Sequence, residues 1–173
     1  MTHLRYILAL ILVIALAGCG AAKQTASAPG RDTAKVIRAV DGDTLEVSLK
    51  GAKQKVRLIG VDTPETKKPN TPVMYYGQEA SDYTKKRLEG KTVELEWDVD
   101  RTDQYDRLLA YVWLGDEMFN RTLVQEGYAR IATFPPNVKY VDLFKKDQEF
   151  ARSKGKGIWK DYEKAFGPEK KTK

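Results

Sequence analysis

Histidine is all but missing from this chain, and cysteine is as scarce: His3 and Cys19 stand alone. With His3 inside an expected leader, the mature domain has no imidazole to serve as base, nucleophile or zinc ligand. A single cysteine forbids an intrachain disulfide and argues against thiol catalysis. Long apolar runs are absent except near the N-terminus, and that one is shorter than the roughly 20 residues a membrane span needs. Chemistry must therefore rest on carboxylates, basic side chains and tyrosines, with or without an oxygen-seeking metal.

The N-terminal run is organised. Met1–Arg5 is short and weakly basic, Tyr6–Ala15 is apolar, and Leu16-Ala17-Gly18-Cys19 closes it with small residues and the cysteine. This predicts a lipoprotein signal peptide over 1–18, with Cys19 becoming the lipid-modified N-terminus. An ordinary secretory signal with a chance thiol is the competing reading. Residues 19–33, rich in Ala, Ser, Pro and Gly, predict a flexible tether. A folded domain is expected over 34–166 and a basic disordered tail over 167–173. The expected location is the outer face of a bacterial cell membrane, lipid-anchored, with the protein a monomer. The net charge of +6 receives only Arg5 from the leader, so the mature domain is basic. Such a domain favours polyanions: nucleic acid, wall polymer or an anionic membrane surface. The clusters Lys85-Lys86-Arg87, Lys145-Lys146 and Lys170-Lys171 read as solubilising faces rather than base contacts.

Residues 34–40, 44–50 and 53–59 alternate in part and are divided by turn signals at Asp41-Gly42 and Gly51. Helical spacing over Tyr76–Leu88 ends at Gly90, strands are expected at 92–97 and 107–114, and helices at about 118–126 and 139–153. That order predicts an α+β domain: a small closed β-barrel with helices packed on it. Residues 64–75 hold three prolines without periodicity and predict a loop leaving an acidic segment.

Five charged residues carry most of the chemical information: Asp43, Arg57, Asp62, Glu65 and Arg107. Carboxylates can hold a hard cation and orient water, while guanidinium groups neutralise charge growing on phosphorus oxygens. A two-residue turn at Gly51-Ala52 would set Val47 against Val56 and Leu45 against Leu58, with Arg57 and Glu46 on the opposite face. Asp43 then falls opposite Gly60, and Asp41 opposite Asp62. A slip of two residues keeps this arrangement of faces, whereas a slip of one destroys it. Carboxylates gathered near an apolar core are costly unless a cation compensates them, and Ca²⁺ or Mg²⁺ suits an all-oxygen donor set. The bland alternative is that Asp41, Asp43 and Asp62 only organise Asx-turns.

The segments AVDGDTLEV (39–47), VRLIGVDTPET (56–66) and DQYDRLLAYVW (103–113) resemble the thermonuclease family, the staphylococcal or micrococcal nuclease type. They occur in the same order and with similar separations. The resemblance extends to YGQEASDYTKK (76–86), LVQEGYAR (123–130) and Gly157-Ile158-Trp159. It implies a five-stranded OB-fold barrel with about three helices and a Ca²⁺-dependent endonuclease acting on DNA and RNA, leaving 3′-phosphates. It also implies that Asp43, Asp62 and the carbonyl of Thr63 hold the metal. Glu65 would orient or deprotonate the attacking water, Arg57 and Arg107 would bind the phosphate, and Tyr105 would lie near the nucleotide phosphate.

Two departures stand out. Where the family commonly reads Lys-Tyr-Gly-Arg, this chain has Gln104-Tyr105-Asp106-Arg107, and its stacking-tyrosine region reads Thr133-Phe134-Pro135-Pro136. Two other readings compete with the nuclease: a catalytically silent nucleic-acid-binding OB-fold lipoprotein, and a structural lipoprotein that binds anionic wall polymer.

Overall fold

The computed structural model describes residues 30–66 and 72–168. Cys19, the expected signal peptide, most of the expected tether, the middle of the 64–75 loop and residues 169–173 lie outside them.

The described residues form eight strands and four helices, in chain order. They are β1 (Arg31–Asp41), β2 (Thr44–Leu49), β3 (Ala52–Leu58), β4 (Gly60–Asp62), α1 (Gly77–Leu88), β5 (Thr92–Glu96) and β6 (Leu108–Leu114). The remainder are β7 (Glu117–Met118), α2 (Phe119–Gln125), β8 (Arg130–Ala132), α3 (Val141–Ser153), a 3₁₀ turn at Gly157–Lys160 and α4 (Tyr162–Phe166). Strands β3-β2-β1-β5-β6 pair antiparallel in that order, and a parallel β3–β6 pairing closes them into a barrel. The result is the α+β, five-stranded OB-fold barrel with helices packed against it. A closed sheet leaves few free edges, which removes the usual route to edge-to-edge association.

Apolar residues alternate into the barrel, where Val36, Leu45, Val47, Val56, Leu95 and Val112 are wholly buried. Strand β1 starts at Arg31, so the end of the expected tether is sheet: Arg31 through Lys35 pair with β5. Register irregularities between Val36 and Arg38 and between Ala39 and Asp41 let this long strand bend around the barrel. Helix α1 buries Ala80, Thr84 and Leu88, one face at a four-residue spacing, and Thr84 Oγ1 donates to the Gly42 carbonyl at 2.6 Å. The helix thereby pins the β1–β2 turn.

The β2–β3 register differs by two residues from the expected one. Leu45 faces Val56, and Leu49 faces Ala52. The reason is the turn, which uses Lys50-Gly51 with φ of 51° and 83° rather than Gly51-Ala52. Positive φ at both central residues is the hairpin geometry whose twist suits the flanking strands. The even slip preserves the faces, but Asp43 now lies beside Leu58, whose N–H donates to the Asp43 carbonyl at 2.9 Å.

Asp41 and Asp62 are not paired, because the chain leaves the barrel at Gly60. This residue has φ of 80°, and a Cβ there would collide with the Phe144 ring of α3. Beyond it, β4 pairs with β8, with Asp62 opposite Arg130. Buried Asn120 locks the exit, accepting from Val112 N–H at 2.8 Å and donating to the Ile59 carbonyl at 2.9 Å. Gly60→Ala is expected to lower stability by about 1–3 kcal/mol through overpacking against Phe144. Urea denaturation checks it, and an unchanged midpoint would show that the ring can step aside.

Candidate active site

Asp43 sits at the β1–β2 turn with 6% of its surface exposed. A charge so buried needs donors, and it has them. Its Oδ2 accepts from Thr63 N–H at 2.9 Å and Thr63 Oγ1 at 3.0 Å, and Arg57 Nη1 lies 3.1 Å away. Its Oδ1 accepts from Thr44 Oγ1 at 3.1 Å. These bonds carry the acidic segment after β4 onto the turn before β2, twenty residues earlier. Gly42 is tight for the same reason, since a Cβ there would overlap the Thr63 side chain.

Arg57 braces the other side. Its Nη1 also donates to the carbonyls of Val61 at 2.9 Å and Leu58 at 3.2 Å, while Nη2 reaches Asp62 Oδ1 at 3.4 Å. One guanidinium therefore joins both aspartates and the backbone between them. Asp62 Oδ2 is in turn held by Arg130, through Nε at 3.0 Å and Nη2 at 2.9 Å. Arg130 donates from Nη1 to the Tyr162 hydroxyl at 3.1 Å and lies 3.9 Å over the Phe166 ring. The unforeseen strands β4 and β8 and helix α4 thus set the orientation of Asp62.

Arg107 belongs to a different loop, and Asp103 holds it. Asp103 Oδ2 accepts from Arg107 Nε at 2.7 Å, and Oδ1 accepts from the N–H groups of Tyr105 and Arg107 at 2.9 and 3.0 Å. Burial raises the Asp103 pKa, but these hydrogen bonds outweigh it and leave the carboxyl below its ordinary value. Asp106, which stands where the family commonly has glycine, is exposed, has φ of 58° and makes no ion pair among the described residues. The left-handed backbone there accounts for the glycine that the resemblance leads one to expect.

Asp43, Arg57, Asp62, Thr63, Glu65 and Arg107 line one open cleft of about 430 Å³, together with Asp41 and Lys55. Glu65 is half-buried, with Oε1 accepting from Thr66 N–H at 2.9 Å. Its N–H and carbonyl are both engaged by Met74, which fastens the far end of the loop to the cleft. A second cavity of about 450 Å³ shares Arg57 and Arg107 and contains Tyr105, Phe134 and Pro135. Asn137 and Asp100 exchange side-chain to backbone hydrogen bonds at 2.8 and 2.9 Å and so clamp the two loops bearing these rings together. Tyr105 and Phe134 remain 69% and 74% exposed at its edge.

The electrostatics of the cleft are strained toward excess negative charge. Burial first, then the charges of Asp43 and Glu65, pushes the Asp41 carboxyl from 3.8 to about 6, against hydrogen bonds from Gly42 N–H and Thr66 Oγ1. Burial and Asp43 likewise raise Asp62, opposed by Arg57 and Arg130. A hard cation would relieve this, and the donors available are all oxygens. Among the described residues no three His, Cys, Asp or Glu groups are close enough to hold an ion together. An ion bound through Asp43 and Asp62 would therefore complete its six to eight ligands with backbone or water oxygens.

Sequence reasoning missed Asp41 as a cleft group, and it missed Asp103, Arg130 and Lys55. Asp41 was legible only as a turn residue. Asp103 and Asp106 flank the same loop, and only the backbone decides between them. No local pattern marks Arg130, since its partner is 68 residues away.

The barrel and cleft define an OB-fold protein with paired carboxylates and arginines at one rim. Residues 55–161 match the family model described as Staphylococcal nuclease homologue. The chain is 54% identical over 127 residues to the Thermonuclease of Staphylococcus hyicus, spanning 73% of this chain and 75% of that relative. It is 49% identical over 142 residues to the Thermonuclease of Staphylococcus intermedius, spanning 82% and 84%. It is 47% identical over 124 residues to Endonuclease YncB of Bacillus subtilis, spanning 70% of this chain and 59% of the relative. The chain belongs to the staphylococcal nuclease homologue family.

A raised Asp41 pKa means that the folded state binds its proton more tightly than the unfolded chain does. Stability of the metal-free protein is then expected to fall as pH rises from about 4 through about 6. Asp41→Asn should flatten that decline in urea denaturation curves taken across the range. Identical slopes in the two proteins would show that Asp41 carries no strain.

Proposed function

We propose that this protein is a calcium-dependent endonuclease that hydrolyses phosphodiester bonds of DNA and RNA, leaving 3′-phosphate and 5′-hydroxyl ends. It would act from a lipid anchor at Cys19 on the outer face of a bacterial membrane. The observation that carries the reading is the meeting of Asp43, Asp62, Thr63, Glu65, Arg57 and Arg107 in one cleft. The thermonuclease and endonuclease relatives support it.

Asp43, Asp62 and the Thr63 carbonyl would hold Ca²⁺, which supplies Lewis-acid stabilisation to a phosphoryl oxygen when bound. Arg57 and Arg107 come from separate elements and converge on the same space. Each presents N–H groups to the equatorial oxygens as negative charge grows on them. Both are preoriented, Arg57 by carbonyls and carboxylates and Arg107 by Asp103, so little reorganisation is needed at the moment of reaction. Glu65 borders the cleft at the loop base, and its carboxylate holds the water that attacks phosphorus opposite the departing 5′ oxygen. With no histidine in the domain, carboxylate is the base type at hand. The rings of Tyr105 and Phe134 border the adjoining cavity, where a nucleotide can stack without sequence readout.

Plasmid and single-stranded DNA are expected to be cut in millimolar Ca²⁺ and left intact in EGTA. Binding without cutting in calcium would defeat the nuclease reading, and cutting that survives EGTA would remove the metal from it. Arg107→Ala should lower kcat by about 10²–10³-fold with the circular dichroism spectrum unchanged. Arg107 suits this better than Asp43, whose removal leaves the Thr63 N–H unpaired and also costs stability.

A further inference from the structure

We propose that Lys55 is a backbone-phosphate contact that holds the substrate strand on the side of the cleavage point opposite the Tyr105–Phe134 cavity. The proposal rests on the nuclease reading.

Strand β3 alternates, so Lys53, Lys55 and Arg57 project from one face, each separated from the next by about 7 Å along the strand. That spacing is comparable to the distance between successive phosphates of an extended single strand. The three cations differ in what already engages them. Arg57 is braced between the aspartates. Lys53 Nζ lies 2.6 Å from Glu46 Oε1, and Arg38 covers Glu46 Oε2 at 3.1 Å. Glu46 is the residue paired with Lys55 across the sheet, and each of its oxygens already faces one of those two cations. Lys55 is exposed, lines the carboxylate cleft, and makes no side-chain hydrogen bond or ion pair among the described residues.

Direction comes from how the two cavities meet. Both contain Arg57 and Arg107, but Lys55 borders the carboxylate cleft while Tyr105 and Phe134 border the other. A strand stacked on the rings, with its scissile phosphate on the arginines, therefore runs on toward Lys55. The ring cavity has Asp100, Asp103 and Gln104 on its wall and no lysine. Among the described residues that line the two cavities, the cation without an ion pair is Lys55, and it borders the carboxylate cleft. An ammonium on a flexible stem suits this position, since a flanking phosphate needs a point charge and not bidentate geometry.

The test compares two single-stranded DNA substrates in saturating Ca²⁺. A dinucleotide has only the scissile phosphate, whereas a hexanucleotide also carries flanking ones. In Lys55→Gln the hexanucleotide-to-dinucleotide ratio of kcat/KM is expected to fall about 2- to 5-fold relative to wild type, through KM. Lys55→Arg should restore it. In EGTA, the slope of log binding constant against log salt for the hexanucleotide should shrink by about 0.7. A ratio or salt slope equal to wild type overturns the proposal. So does an equal loss on both substrates, which would assign Lys55 to charge balance among the carboxylates. A wild-type protein that cuts neither substrate overturns the nuclease reading instead, and the salt slope still decides the Lys55 contact.

Discussion

The carboxylate of Asp43 is the fixed point of this molecule's working end. Thr63 approaches it with both backbone N–H and hydroxyl, Arg57 with a guanidinium, and Thr44 with a second hydroxyl. Burying a carboxylate costs several kcal/mol unless donors compensate it. The chain after β4 is therefore drawn onto the β1–β2 turn, and Asp62, Thr63 and Glu65 come with it. Remove this attraction and Gly60 would still turn the chain out of the barrel, leaving the Thr66 hydroxyl on Asp41 and the Arg57 guanidinium to direct it back to the cleft.

Cations divide the remaining work. Arg57 spans Asp43 and Asp62, Arg130 holds Asp62 from behind, and Asp103 keeps Arg107 facing the same space. The compensation is incomplete, as the elevated Asp41 carboxyl shows. A site left partly negative attracts a hard cation and repels phosphate. The arginines, together with Lys55 under the proposal above, would bring the nucleic acid in against that repulsion. On the proposed function, the balance of these charges bears on both ion affinity and substrate affinity.

Much of the architecture was legible because it follows from local chemistry. Alternation in 44–50 and 53–59, helical spacing in Tyr76–Leu88, and glycines after helices all correspond to the observed elements. The hairpin register slipped by two because either Lys50-Gly51 or Gly51-Ala52 can supply a two-residue turn, and only the preference for positive φ at both positions decides. Strands β4, β7 and β8 were invisible at two or three residues each, where periodicity has no room to appear. At the cleft, the acidic segments and arginines were legible by type and spacing. Their orienting partners were not: Arg130 and Asn137 act on residues 68 and 37 positions away, and Asp103, though four residues from Arg107, is distinguished from Asp106 only by the backbone of the loop.

The central claim is that Asp43 and Asp62, brought together across the barrel exit, form an ion site. The most direct measurement is a calcium titration followed by the amide resonance of Thr63, whose N–H donates to Asp43. The account predicts a saturable shift of that resonance in the wild-type protein, and its loss in Asp43→Asn, where the fold persists but one negative donor is gone. A Thr63 resonance that ignores calcium in the wild type, or that shifts identically in Asp43→Asn, would contradict it.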